Sequence, residues 1–362
     1  MELELTEDQE FFLATTRRFL AAEAPVAWVR TLEDDPAGFT PEYWRAGAAL
    51  GWTSLLVPEA DGGGSVSGNG LADLVLVAEE MGRLASPGPL VPVNVVAAAV
   101  SAGGSRDHKD AVLPGLLDGS AVAAWTGPGA VEAEATAGGH RLTGVASPVE
   151  AGAQADHLLV SARGPDGPSL LLVDPQDPDV TVTPLGGLDL VRRHAEVRFD
   201  GVAVPRSAAV DADPEHLARL ACAIGCAESV GVMDRVFEMT LEWLADRWSF
   251  GRPLASYQAL KHRVADDRTA LEACHAIAAA AARAVAAGTP DAADLVSAAK
   301  AWIGRQSTEL VQDCIQFHGG IGVTWEHDLH VYLRRATVNR LTYGTPEEHA
   351  DRLAAGLLEE AS

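Results

Sequence analysis

The hydrophobic period of this sequence changes twice. Up to about residue 118, apolar side chains recur at helical spacing; from Val122 to Pro205 they alternate in short runs split by Gly, Pro and Asp; after Pro214 the helical spacing returns in alanine-rich stretches with few breakers. A period of about 3.6 residues buries one face of a helix and a period of 2 buries one face of a strand. The pattern therefore predicts an α+β chain. Its parts are an N-terminal helical domain over 1–118, a middle antiparallel β domain over 119–212 and a C-terminal four-helix bundle over 213–362.

Thr6 followed by Gln9 reads as a capping box, in which each side chain satisfies the other residue's backbone N–H, so a helix is expected through residues 11–24. Residues 41–52 and 70–87 suit two further helices. Between them Gly62 to Gly64 form a connection, because no Lys followed by Ser or Thr stands at phosphate-loop spacing. In the middle region, residues 121–125, 140–144, 156–162, 169–174, 180–185 and 195–204 each suit a strand of a compact antiparallel domain. Four long helices are expected over 215–246, 254–287, 290–317 and 328–358.

Composition excludes several functions. Lys plus Arg number 27 against 51 for Asp plus Glu, a formal charge of -24, which argues against nucleic acid or an anionic membrane surface as a partner. Any polyanionic ligand needs local cations; Lys261, His262, Arg263, Arg334 and Arg335 are candidates, with solvated helix faces as their ordinary role. Cys222, Cys226, Cys274 and Cys314 are too few and too scattered for a disulfide framework. Cys222 and Cys226, one helical turn apart, suit small buried helix residues better than half of a metal site. The acidic N-terminus lacks signal-peptide character and no uncharged apolar run reaches the roughly 18 residues of a membrane span. A soluble, cytoplasmic protein is expected.

Two segments carry the chemistry: DRWSFGRPLASYQALKHRVADD, residues 246–267, and IQFHGGIGVTWEHDLHVYLRRA, residues 315–336. Each contains groups suited to a diphosphate. A guanidinium offers donors in a planar fork, and paired glycines let backbone amides approach an anion with no Cβ between. Taken singly, Gly319 and Gly320 also suit a helix-ending pair, and Arg247 a last-turn cation. Together the two segments resemble the C-terminal signature of the flavin-dependent acyl-CoA dehydrogenases. The resemblance implies that Arg247, Phe250, Gln258, Gln316, Gly319 and Gly320 lie beside the pyrophosphate and adenine of FAD. The helical, β, helical order is similar to that family along essentially the whole chain. It implies a C-terminal bundle that drives tetramerisation and a flavin shared between the middle domain of one subunit and the C-terminal domain of its neighbour. The apolar helical stretches 271–287 and 291–304 suit such a buried helical interface.

The reaction of that family removes a weakly acidic proton from the α-carbon of a thioester, which needs a carboxylate held close in a dry pocket. The family's base stands in an E-G-T motif, where this chain reads Tyr343, Gly344, Thr345, or at the start of the first C-terminal helix, where it reads Ala221. Alanine carries no acid, and a tyrosine with an ordinary pKa of about 10 is protonated at neutral pH. Glu228, Glu347 and Glu348 are the candidates for a relocated base, yet one helical turn is about 5.4 Å, a large displacement for proton transfer.

The middle domain departs from the family as well. Thr126 is kept from the Thr/Ser-Glu pair, with Gly127 beside it. The hairpin frame survives in Leu142, Thr143, Gly144, Ala155 and Asp156, but Pro148 replaces the tryptophan that stacks on the flavin ring and Glu150 replaces the hydroxyl residue. A carboxylate facing reduced flavin is expected to oppose the reaction. No catalytic residue is therefore assigned here. The combination resembles the non-catalytic subunit of heteromeric acyl-CoA dehydrogenases of bulky substrates such as steroid side-chain CoA thioesters. That implies an acyl-CoA dehydrogenase-like partner, an acyl-CoA substrate, a heterotetramer and a role in lipid or steroid catabolism. TWEHDLHVYLRRA, residues 324–336, also looks more like those branches than the short-chain fatty acid enzymes. A flavin-free scaffold on the same fold, or an active dehydrogenase with a relocated base, are the other readings.

Overall fold

The computed structural model of the chain describes residues 5–129, 131–165 and 167–360. Six helices come first: α1 (Glu7–Glu23), α2 (Val26–Thr31), α3 (Pro41–Ala49), α4 (Gly70–Arg83), α5 (Leu90–Gly103) and α6 (Arg106–Leu117). Strands follow as β1 (Ala123–Trp125), β2 (Glu132–Thr136), β3 (Gly139–Glu150), β4 (His157–Gly164), β5 (Gly167–Val173), β6 (Val180–Leu185), β7 (His194–Pro205) and β8 (Ala209–Val210). Helix α7 (Pro214–Asp246), the short hairpin β9 (Trp248–Ser249) and β10 (Arg252–Pro253), then α8 (Gln258–Ala287), α9 (Ala292–His318), α10 (Leu329–Leu341) and α11 (Pro346–Glu360) complete the order. The helical, β, helical succession is the expected one.

The chain divides into two compact units, residues 1–16, 30–74 and 87–221 in the first and 17–29, 75–86 and 222–362 in the second. In the first, the capping box forms as expected: Thr6 N donates to Gln9 Oε1 at 3.1 Å and Gln9 N to Thr6 Oγ1 at 3.2 Å. Thr40 caps α3, with Pro41 at its start. Helix α5 is apolar on all sides and almost wholly buried, which is why helical periodicity did not reveal it. The sheet runs β6-β7-β3-β2-β4-β5-β8, with β1 beside β4. Its core includes Leu142, Leu158, Val160, Val197 and Phe199, each fully buried.

Two departures from the expected antiparallel set have physical causes. Strand β1 pairs with β4 in parallel, because the β2–β3 hairpin lies between them and supplies the long crossover that parallel neighbours need. Strand β2 went unnoticed because EAEAT has an exposed, acidic face and little β propensity.

In the second unit, α4 and α7 cross in backbone contact at glycines. A Cβ on Gly231 would stand 1.8 Å from Glu79 O, and one on Gly82 would stand 2.0 Å from Glu228 O. Helix α8 starts at Gln258 rather than 254, after a single 3-10 turn over Leu254–Ser256. The helix expected over 328–358 is two helices. It breaks at Thr342 to Thr345, where Tyr343 and Gly344 take φ of +61° and +98° and Pro346 opens α11, a position where its missing N–H costs nothing. Among the described helices, α8 alone is long and apolar enough to cross a membrane by length and composition, and 39% of its apolar window is buried within the chain.

Candidate functional site

The residues expected to hold a nucleotide come from three places in the second unit. Arg247 follows the last turn of α7, and its guanidinium stands over the Trp243 ring, 5.7 Å from the centroid. It makes no ion pair with any described residue, although acids outnumber bases 51 to 27. Phe250 and Gly251 form the two-residue turn between β9 and β10, both with positive φ, +50° and +79°. That is the twist such a turn demands, but φ > 0 is strained for a bulky side chain. Phe250 is also 96% exposed. Tyr257 braces the hairpin, its hydroxyl donating to Ser249 O at 2.8 Å while Arg252 packs over its ring at 3.9 Å.

Gln258 opens α8 with an exposed side chain. At the other helix end, Gln316 lies in the last turn of α9, and Gly319 ends that helix with φ +64° and ψ -139°, a conformation open in practice only to glycine. A Cβ at Gly319 or Gly320 would meet nothing within 4 Å, so both glycines face open space. One bond joins the arms: Trp243 Nε1 donates to Phe317 O at 3.2 Å. An uncompensated guanidinium, an open glycine turn and two exposed amides make a donor set that fits a nucleotide diphosphate.

The turn at 342–345 is tied down by contrast. Lys300 of α9, 4% exposed, donates to Asn339 O at 2.5 Å and Thr342 O at 2.7 Å, capping the orphan carbonyls of α10. His349 of α11 donates through Nε2 to Tyr343 O at 3.1 Å and accepts at Nδ1 from the Ser297 hydroxyl at 3.2 Å. The Tyr343 ring lies against Gly225 of α7, where a Cβ would stand 3.7 Å from it. Ala221, one turn earlier on α7, is fully buried.

The three acids near these positions are occupied. Glu228 is buried and paired with Arg335 at 2.7 Å. Glu348 accepts from Thr345 N at 2.8 Å, and that backbone hydrogen bond holds its carboxyl below the usual range. Glu347 pairs with Arg340 at 2.9 Å, and backbone and arginine contacts lower it likewise. A carboxylate made less basic is a poorer proton acceptor.

In the first unit, the Thr126 hydroxyl accepts from Ser161 N at 3.0 Å. Asp156 fixes the hairpin frame, accepting from Val122 N at 2.9 Å. Pro148 sits exposed in a bulge of β3 between Ala146 and Val149, where its lack of an N–H breaks no ladder bond. Glu150 is expected from the sequence to set a carboxylate against the flavin ring. It is 6% exposed and stands 3.4 Å from the equally buried Arg192, so its charge is compensated within the unit. A carboxylate neutralised by its own arginine puts little net charge beside a reduced flavin, so the expected penalty is small.

Residues 216–358 match the family described as "Acyl-CoA dehydrogenase, C-terminal domain", and residues 6–120 match "Acyl-CoA dehydrogenase, N-terminal domain". The chain belongs to the acyl-CoA dehydrogenase family. It is 29% identical over 356 residues to acyl-CoA dehydrogenase IpdE2 of Mycolicibacterium smegmatis, covering 97% of this chain and 99% of that one. Among solved structures it is similar to the ChsE4-ChsE5 complex from Mycobacterium tuberculosis, at 26% identity and a TM-score of 0.91 with 99% of each chain covered. A steroid ACAD variant, Tcur3481-Tcur3483, is similar at 29% identity and a TM-score of 0.90, covering 98% of this chain and 99% of that one.

Family membership leaves the remaining sequence candidates to be placed. Of the five cations considered for an acyl-CoA, Arg335 is neither a solvated face nor available: it is 1% exposed and also donates to Ser86 O and Ala85 O at 3.1 Å. Arg263 is paired with Asp313, Arg334 packs over Trp325 at 5.8 Å, and Lys261 and His262 are exposed. All four cysteines are free and buried. Sequence reasoning missed Trp243, His318 and Lys300. Aromatic and basic residues at helical spacing look like any amphipathic face, and only the folded chain shows which carbonyls they reach.

Proposed function

We propose that this acyl-CoA dehydrogenase-family chain is the non-catalytic subunit of a heteromeric, FAD-dependent α,β-dehydrogenase of a bulky acyl-CoA thioester, with steroid-type acyl groups as the favoured class. Its domains in this reading are 1–118, 119–212 and 213–362, and its location is the cytoplasm. FAD, when bound, supplies the hydride acceptor. Arg247 and the Gly319–Gly320 turn hold its pyrophosphate, while Phe250, Gln258 and Gln316 bound the adenine side. A partner of the same family brings the carboxylate base and the aromatic platform for the flavin ring.

The observation that carries the reading is the contrast at position 343. A tyrosine stands there in a turn whose carbonyls at 342 and 343 are held by Lys300 and His349, and the acids around it are each engaged by another group. A nucleotide-type donor set in the same unit is left exposed. The solved structures that the chain resembles, the ChsE4-ChsE5 complex and a steroid ACAD, support a partner and a substrate class. The largely unburied apolar window of α8 suits a helical interface.

Flavin content tests the proposal. The chain purified alone is expected to be colourless, and co-expression with an acyl-CoA dehydrogenase chain bearing the E-G-T glutamate should give a mixed tetramer with visible flavin absorbance. A yellow homo-oligomer that reduces dye with an acyl-CoA would sink it in favour of an active enzyme. Colourless homo-oligomers with no mixed species would favour a scaffold.

A further inference from the structure

The exposed half-site has two arms, and one side chain touches both. Arg247 lies one turn beyond Trp243, its guanidinium over the indole at 5.7 Å. The indole N–H donates to the carbonyl of Phe317 at 3.2 Å, which sits between Gln316 and the Gly319–Gly320 turn. On the indole face lies His318, its ring centroid 5.2 Å away and its plane tilted by 20°. His318 is 4% exposed. Its Nδ1–H donates to Cys314 O at 2.7 Å, and the His327 ring meets it edge-on at 4.7 Å. Burial lowers the pKa of both imidazoles, so the stack beneath the indole is neutral at neutral pH and adds no cation beside Arg247.

An exposed arginine samples many rotamers, and ordering it at the moment of binding weakens an anion site. A cation over an indole face is restrained, and a ligand then meets fewer arrangements. The last carbonyls of α9 have no intrahelical partner, so donation to Phe317 O fixes how the glycine turn leaves the helix. A residue that only packed α7 against α9 would not need to place its N–H on that carbonyl.

We propose that Trp243 is a positioning residue for the flavin: it couples Arg247 to the Gln316–Gly320 segment, so that the two arms form one preformed receptor for the pyrophosphate and adenine. The inference rests on the half-site reading above and deepens it. The same function follows for no other described aromatic, because Trp243 alone bridges the ends of α7 and α9 through a hydrogen bond to the segment.

The test uses the mixed complex formed by co-expression with the partner chain, stripped of flavin and titrated with FAD by fluorescence, with thermal unfolding of the flavin-free complex measured alongside. Trp243→Phe keeps a ring under Arg247 but loses the N–H, and it should weaken FAD about five-fold, the effect of one ordinary hydrogen bond. In an Arg247→Ala background the same substitution should cost clearly less than its full five-fold, because the glycine arm it positions then has no charged arm to act with, so the two losses are less than additive. Should Trp243→Phe fail to assemble, Trp243→Tyr carries the same expectations. Unchanged FAD affinity in the Trp243 variants beside a loss in Arg247→Ala would overturn the coupling and leave the half-site standing, as would fully additive losses. Unchanged affinity in Arg247→Ala would remove the half-site itself.

Discussion

Two stretches of the second unit end helices in opposite ways. Where α9 stops at Gly319, the chain leaves its glycines open, a guanidinium without a carboxylate and an aromatic standing 96% exposed at a hairpin tip. Where α10 stops at Leu341, a buried lysine caps two carbonyls, a histidine holds a third and the ring of Tyr343 lies against a helix glycine. Buried polar groups in native proteins are paired, and exposed unpaired cations cost little when alone. The first end therefore has binding capacity left over. The second has spent its hydrogen bonds on itself, which fits a turn whose job is structural.

Exchanging the two behaviours is the sharpest way to break that contrast. Lys300→Met removes a donor from two carbonyls in a buried place, and each carbonyl left unsatisfied costs about 1–3 kcal/mol. Thermal unfolding of the flavin-free protein should show a loss on the order of 3 kcal/mol or more, with FAD affinity of the surviving mixed complex near wild type. A large loss of FAD affinity at constant stability would mean the capped turn serves the cofactor after all.

Arg247→Ala should do the reverse. Losing a charge-assisted contact of about 1.5–3 kcal/mol weakens FAD roughly ten- to a hundred-fold. Stability without flavin should move by less than about 0.5 kcal/mol, as for other surface changes. Flavin occupancy after co-expression and unfolding of the stripped complex read the two effects separately.

A pH series sharpens the comparison on the two helices, α8 and α9, that carry Asp267 and Asp313. Asp267 of α8 is 7% exposed, and burial beside Asp313 of α9 pushes its carboxyl up to about 7. The folded value lies above the unfolded one, so protonated Asp267 stabilises the fold fully below the model-peptide range near pH 4, and the gain is lost as pH rises through about 7. Asp267→Asn keeps a donor to Asp313 and should flatten stability over that window. An unchanged pH profile would show that Asp267 ionises normally.

The smallest effect is expected at the base position. Tyr343→Phe should leave turnover of the mixed complex at wild-type level. A drop of ten-fold or more in the maximal rate would make Tyr343 a participant in the chemistry and erase the difference between the two helix ends.

Local signals were legible in the sequence and long-range partners were not. Thr6 and Gln9 announced a capping box because both halves of the interaction lie within four residues. Gly344 and Pro346 are equally readable as breakers, yet the helical spacing of apolar residues on either side reads as one helix through them. Arg335 read as a surface cation because its partner, Glu228, is 107 residues away in the chain. Arg192 stood beside an unremarkable Asp-Leu-Val run with nothing to tie it to Glu150. The candidate nucleotide residues were identified by resemblance, since composition and spacing give Arg247 and the glycine pair ordinary helix-end roles; their exposure and lack of ion pairs are properties of the folded chain.

The way the 342–345 turn is held has an evolutionary consequence. Lys300 and His349 bond to main-chain carbonyls, not to the side chain at 343. The backbone there is thus held by its neighbours, and residue 343 can change among side chains that tolerate a positive φ without dismantling the turn. A chemical group at that place can be lost or regained by a single substitution in a scaffold that continues to fold, so a duplicated gene can abandon or recover a side chain there in one step.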